Sequence, residues 1–242
     1  MTEILEAVTM TAATTDECIY CGKKEKHENK TKKKEPDLTT VESLPDNLQC
    51  SHIKLNVPIP GKYTKANHHL IPVKQCFLKV KRLAQIALSV NYNINSPTNG
   101  IALPTVCNMY EHDGKTQNFG QFSPAVKDGI AISMMQETGM QWHVGHHAYQ
   151  LNDTASSDAP DEGEINHLPY DKEVQKMLVD ICIDFYRDEH CQSDEDKSDK
   201  IKSQIDDICN AIRNKLNAFA KSPRNSAPFY VSKIASRYAF TS

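Results

Sequence analysis

Apolar positions in the last third of the chain recur with helical spacing. In DKEVQKMLVDICIDFYRDEH, the residues Val174, Met177, Leu178, Ile181, Cys182 and Phe185 fall at i, i+3, i+4, i+7, i+8 and i+11. That is one face of a 3.6-residue helix. A second stripe of Ile201, Ile205, Ile208, Ile212, Leu216 and Phe219 runs through IKSQIDDICNAIRNKLNAF. The polar stretch QSDEDKSDK separates the two, and Pro223 and Pro228 close the second. The pattern predicts an antiparallel helical hairpin. A further helix is expected over 74–88.

Upstream the pattern changes. Residues 61–150 alternate short apolar runs with His, Gly and Pro. Residues 1–60 are polar and Lys-rich, with a basic run from Lys23 to Lys34 and then the Pro-punctuated EPDLTTVESLPDN. Little regular structure is expected there. The stretch NDTASSDAPDEGEINHLPY, residues 152–170, reads as an exposed linker.

Length permits one sizeable core or two modest domains in 242 residues. The chain holds no run of 18 apolar residues, so no spanning helix and no membrane partner are expected. The first 17 residues have neither a basic n-region nor an apolar h-region, so no classical signal peptide is expected.

A net charge of -3 would at first argue against a polyanionic partner. Divided by region, it argues nothing of the kind. Residues 51–150 carry net +5, residues 151–200 carry net -10, and residues 201–242 carry net +5. The basic central block can meet nucleic acid while the acidic block faces elsewhere.

Ten histidines and eight cysteines carry the candidate chemistry. His68 and His69 are adjacent and would point to opposite faces of a strand, one toward a metal and one toward a substrate. His143 and His147 are four apart, a spacing that puts two imidazoles on one helical face toward one divalent ion. Asn99-Gly100 marks a turn, where an amide side chain can hold a neighbouring loop or histidine. Cys18 and Cys21 form a CxxC followed by Gly22, half of a zinc knuckle. Cys50 and His52 are the expected companions, with Cys76 as the alternative. Cys182, Cys191 and Cys209 lie in helical sequence and are expected to be small buried side chains.

Three blocks in order, His68-His69-Leu70-Ile71-Pro72, Asn99-Gly100-Ile101-Ala102-Leu103-Pro104 and His143-Val144-Gly145-His146-His147-Ala148-Tyr149, resemble the HNH/endonuclease VII superfamily. They are most similar to its AHH-type nucleases, toxin domains of bacterial polymorphic and type VI secretion effectors. The likeness spans about residues 66–150. Asn67 stands where that family commonly has Ala before the two histidines, and residues 105–142, with their own His112-Asp113-Gly114, form an insertion.

The resemblance implies an α+β chain with a ββα-metal (His-Me finger) core at 61–150. Around that core would lie an N-terminal cysteine-rich segment with a structural zinc at 1–60, an acidic linker at 151–170 and a C-terminal helical subdomain at 171–242. It implies one catalytic divalent ion held by His68, His143 and His147. His69 would be the general base, and Asn99 would orient its loop. His146 would be a phosphate contact or a neighbour only.

Phosphodiester hydrolysis suits these residue types. A neutral imidazole, with an ordinary pKa of about 6.5, can take a proton from water at physiological pH. A divalent ion can offset the phosphoryl charge, and Zn, Ni, Co or Mn accept imidazole more readily than Mg does. Lys62, Lys65, Lys74, Lys79, Lys81 and Arg82 would line a path for the DNA backbone. The expectation is therefore a relatively nonspecific DNase. It would be made in the bacterial cytoplasm, exported with a secretion-system carrier or chaperone, active in the target cell's cytoplasm and neutralised by a cognate immunity protein. The alternatives are an RNase on the same core and a zinc-stabilised binding module without catalysis.

Overall fold

The computed structural model describes residues 2–14, 17–22, 53–143, 170–187 and 197–241. Among these the fold is α+β, with six α-helices and two small antiparallel sheets. The helices are α1 (Thr2–Thr9), α2 (Lys81–Ser89), α3 (Pro124–Thr138), α4 (Tyr170–Arg187), α5 (Lys197–Asn217) and α6 (Lys233–Thr241). The strands are β1 (Thr64–His69), β2 (Gly100–Thr105), β3 (Met109–His112) and β4 (Lys115–Asn118). No described helix is long and apolar enough to cross a membrane.

The chain divides into two compact units. One comprises 1–52, 71–99 and 174–210; the other comprises 53–70, 100–173 and 211–242.

In the first unit, the predicted stripes are where burial falls. Val174, Leu178, Ile181, Cys182 and Phe185 are buried along α4, as are Ile201, Ile205, Ile208 and Cys209 along α5. Cys182 and Cys209 are thus buried as expected; Cys191 lies outside the described residues. Lys200 of α5 sets its ammonium 5.6 Å from the centre of the Phe185 ring.

Helix α2 is shorter than the helix expected over 74–88, and it buries one of the basic residues expected along a DNA path. Six consecutive residues, Arg82 to Ala87, are buried, so this helix is wrapped by protein on all sides along that stretch. Arg82 is 2% exposed and its guanidinium lies 3.2 Å from Glu17, so it lines no external path. Gln85 closes two bonds with one residue: its Nε2 donates to Ala13 O at 3.1 Å, and its Oε1 accepts the Ala13 N–H at 2.7 Å. These pin the chain that follows α1, a helix formed where little regular structure is expected from the sequence.

In the second unit, β1 and β2 pair antiparallel, with His68 opposite Ile101 and His69 opposite Gly100. The segment 53–60 has no regular structure and runs beside β1. Asn67 Nδ2 donates to Ile53 O at 2.7 Å, and the Lys65 ammonium donates to Leu55 O. Lys65 is therefore engaged within the protein, while the exposed Lys62 sets its ammonium 5.9 Å from the centre of the Tyr63 ring. Gly100 is required at the start of β2, because a Cβ there would stand 2.7 Å from Ile53 Cγ2.

Residues 105–142 form an organised insertion. Strands β3 and β4 pair through a turn at Asp113-Gly114, both at positive φ, the geometry of a tight hairpin turn. Ser123 caps α3, accepting the Val126 N–H, and Pro124 sits in its first turn. Helix α3 buries Ala131, Met134 and Met135 against Trp142, Phe219, Tyr230 and α6.

Candidate functional site

Pairing of β1 with β2 sets the two adjacent histidines. Alternation along β1 turns His68 to the same face as Ala66, and His69 to the opposite face with Asn67. His68 is 1% exposed, while His69 is half-buried at the strand's end.

His143 arrives from the far end of the insertion. Its N–H donates to Pro104 O at 3.1 Å, which fastens it to the end of β2. Gln141 and Trp142 fix the residues just before it. Gln141 exchanges two bonds with the 229–231 segment, donating to Phe229 O and accepting from Val231 N–H, while Trp142 O accepts from the Ser232 hydroxyl. The result brings the His68 and His143 rings to a centroid distance of 5.1 Å, with planes at 78°. His143 itself belongs to no helix, contrary to the helical placement expected for it.

Tyr170 is the residue that sequence reasoning missed. The sequence places it in an exposed linker, yet it is fully buried and opens α4. Its spacing to Val174 and Leu178 extends the helix's apolar stripe back one turn, and that was the available signal. Its hydroxyl donates to Leu70 O at 2.8 Å and lies 3.4 Å from His68 Nε2. With the phenolic hydrogen committed to Leu70, Nε2 must donate to the phenol oxygen. That arrangement favours a neutral His68 with its proton on Nε2 and its lone pair on Nδ1. Phe229 braces Tyr170 edge-on, with ring centroids 5.3 Å apart.

Asn99 is fully buried in the first unit and spends its amide on backbone. Its Oδ1 accepts the Ile71 N–H at 2.7 Å, and its Nδ2 donates to Ile71 O at 3.1 Å and Ile94 O at 2.9 Å. The Cys209 thiol donates to the same Oδ1 at 3.4 Å. The residue clasped, Ile71, follows His69 by two positions in the chain.

Two imidazoles, one of them oriented by a buried tyrosine, are donors of the right kind for a borderline divalent ion. The third expected ligand, His147, and the neighbouring His146 lie outside the described residues, as do Cys50 and His52. Among the described residues no group of three His, Cys, Asp or Glu side chains is placed to hold a metal. Cys76, buried, is accordingly not brought to the Cys18–Cys21 pair.

That pair sits on a tight turn closed by the Gly22 N–H on Cys18 O at 2.8 Å. Burial pushes the Cys18 thiol up, and the adjacent Cys21 thiol adds to this against the local backbone N–H groups. Two crowded thiols of this kind suit zinc, whose charge favours both thiolates. Arg82 buttresses the same turn through Cys18 O.

A cleft of about 390 Å³ opens beside His143. It is lined by Ala66 and Thr105 of the β1–β2 sheet, by Asn108, Asn118 and Phe119 of the insertion, and by Trp142. Compared with known proteins, the chain matches no family model, no curated protein and no solved structure.

Proposed function

We propose that this chain is a metal-dependent endonuclease of the ββα-metal type, hydrolysing phosphodiester bonds of nucleic acid. The observation that carries the reading is the His68–His143 pair. Two strands hold one imidazole, the chain after the insertion delivers the other, and a buried tyrosine orients the first. A metal-ligating histidine whose other ring nitrogen is held by a partner is the usual arrangement in such sites.

In this reading His68 and His143, with His147, hold one divalent ion. When bound, the ion supplies positive charge to the phosphate oxygens and the leaving group. His69, half-buried at the strand's end, takes the proton of the attacking water on a ring nitrogen. Asn99 acts through backbone: by clasping Ile71 it fixes the chain two residues beyond His69. Cys18 and Cys21 hold a structural zinc with Cys50 and His52. The blocks that resemble AHH toxin domains extend the proposal to an antibacterial effector with a cognate immunity protein.

Nicking of supercoiled plasmid tests the enzyme reading. The full chain with Mn, Ni, Zn or Mg should convert supercoiled DNA to open circles, and His69→Ala should be slower by at least about a hundredfold. Inertness with every metal, or equal cutting by the variant, sinks it. Parallel incubation with RNA separates an RNase from a DNase, and induced expression in a bacterial host tests the toxin reading.

A further inference from the structure

Among the described residues, the cleft beside His143 is lined by no Lys, Arg, Asp or Glu. Away from the ion proposed at His143, a phosphate would find no countercharge from them, so the occupant that the rest of the cleft fits is neutral. Two aromatic rings, Phe119 and Trp142, stand among its lining. Phe119 lies 5.5 Å from Trp142, and Tyr110 and Phe122 brace Phe119 from behind at 6.2 and 6.3 Å. Rings held this way lose little freedom when another flat group stacks on them.

At the mouth stand two amides from the base of the β3–β4 hairpin. Asn118 Oδ1 accepts the Gly120 N–H at 2.8 Å, so the group it presents is its NH2. Asn108 is exposed and offers both an acceptor and a donor. Asn118 and Phe119 are held to Asn108 by the bond from Phe119 N–H to Asn108 O at 2.7 Å.

We infer that this cleft takes an unpaired nucleobase of the substrate, stacked on Phe119 and read at its edge by Asn108 and Asn118. The inference rests on the nuclease reading and sharpens its substrate class. A base and its phosphate hang from one sugar, so a base-sized cleft that begins at a metal-ligating histidine is where the base next to the scissile phosphate goes. The volume suits one base and its sugar. A base inside a duplex cannot enter, because its edge is paired and its faces are stacked. The enzyme therefore acts on single strands, loops or frayed ends in preference to intact duplex.

Trp142 is the chain's only tryptophan and lines this cleft, so its emission reports the cleft together with the core packed behind it. The His69→Ala protein, with metal present, is titrated with a single-stranded oligodeoxynucleotide while tryptophan emission and the anisotropy of a labelled strand are followed together. Saturable quenching should track binding, and the annealed duplex should bind at least about fivefold more weakly. Asn108→Ala, a change at an exposed position, should weaken single-strand binding about fivefold or more. Phe119→Leu should do the same and reduce the quenching. As a check that does not depend on any variant, the oligonucleotide should slow alkylation of exposed Cys107, which lines the same cleft. Binding with unchanged Trp142 emission and an unprotected Cys107 overturns the inference and leaves the nuclease reading standing, as does equal cutting of single strand and duplex. Absence of both binding and cutting with every metal overturns the two together.

Discussion

The imidazole of His68 meets that of His143 edge to face, with ring centroids 5.1 Å apart, although 74 residues lie between them in the chain. Neither would hold that position alone. The β1–β2 register aims His68, the bond to Pro104 O holds His143, and the Tyr170 hydroxyl binds both Leu70 O and His68 Nε2.

Removing that hydroxyl separates packing from orientation. Tyr170→Phe keeps the ring against Phe229 and His68 but loses both hydrogen bonds. Stability should fall by about 1–2 kcal/mol, the worth of a buried hydrogen bond. Metal affinity should fall by roughly ten- to hundredfold, since the His68 ring loses the partner that orients it. Thermal melts without metal give the first quantity, and calorimetric titration with Ni or Mn gives the second. A stability loss with unchanged affinity would show that Tyr170 is a packing residue only.

Asn99 makes a sharper pair of variants. Asn99→Ala leaves Ile71 N–H, Ile71 O and Ile94 O without their buried partner and should cost about 2–4 kcal/mol in urea unfolding. Asn99→Asp keeps the acceptor for Ile71 N–H but turns an oxygen on two carbonyls. At neutral pH it should be at least as damaging as Ala despite its closer shape. If Asp is tolerated, the amide donors are not what holds the loop.

How much of this was legible in the sequence varies by element. The stripes of α4 and α5 were readable because a repeated 3.6-residue period survives any single exception. The Asn99-Gly100 block was readable as a turn from its residue types, whereas the close approach of Ile53 to Gly100 was not. Arg82 misleads: a guanidinium beside Lys79 and Lys81 looks like part of a basic surface, and only tertiary structure brings Glu17 and Cys18 O to it. Tyr170 misleads for a related reason, since the residues that bury it, His68, Leu70 and Phe229, come from distant parts of the chain. The insertion showed only His112-Asp113-Gly114, too little to announce the aromatic cluster behind the cleft.

Within the basic segment, the buried Arg82 and the exposed Lys79 and Lys81 should behave differently. Arg82→Leu should destabilise by about 2–4 kcal/mol, because a buried partnership with Glu17 is broken while Glu17 keeps some access to water. Its nucleic-acid affinity should match the parent wherever both are folded. Lys79→Ala with Lys81→Ala removes two exposed charges at little cost in stability. The slope of log K against log salt should then drop by roughly 0.7–0.9 for each phosphate that these lysines neutralise in the parent. An unchanged slope would exclude them from the backbone path.

Cys182 ties stability to alkaline pH. Burial pushes its thiol up to about 12 from an ordinary 9.0, outweighing the pull of the Arg82 charge and of a backbone bond at Leu83. In the folded chain the thiol therefore stays protonated where the unfolded chain has already ionised. The sign follows from linkage: this contribution is intact below pH 9 and is lost as pH rises from 9 toward 12, because the unfolded state sheds its proton first. Three pH units correspond to about 4 kcal/mol at the upper limit. Cys182→Ala should begin less stable, from the small cavity, and then lose less with pH, so that the two curves converge above pH 9. Urea midpoints for both proteins between pH 8 and about 11 measure the difference directly, and other buried groups whose unfolded forms ionise there, Tyr63 and Tyr92 among them, cancel in it. Parallel curves would mean that the thiol reaches water in the native state and that its burial contributes nothing to alkaline sensitivity.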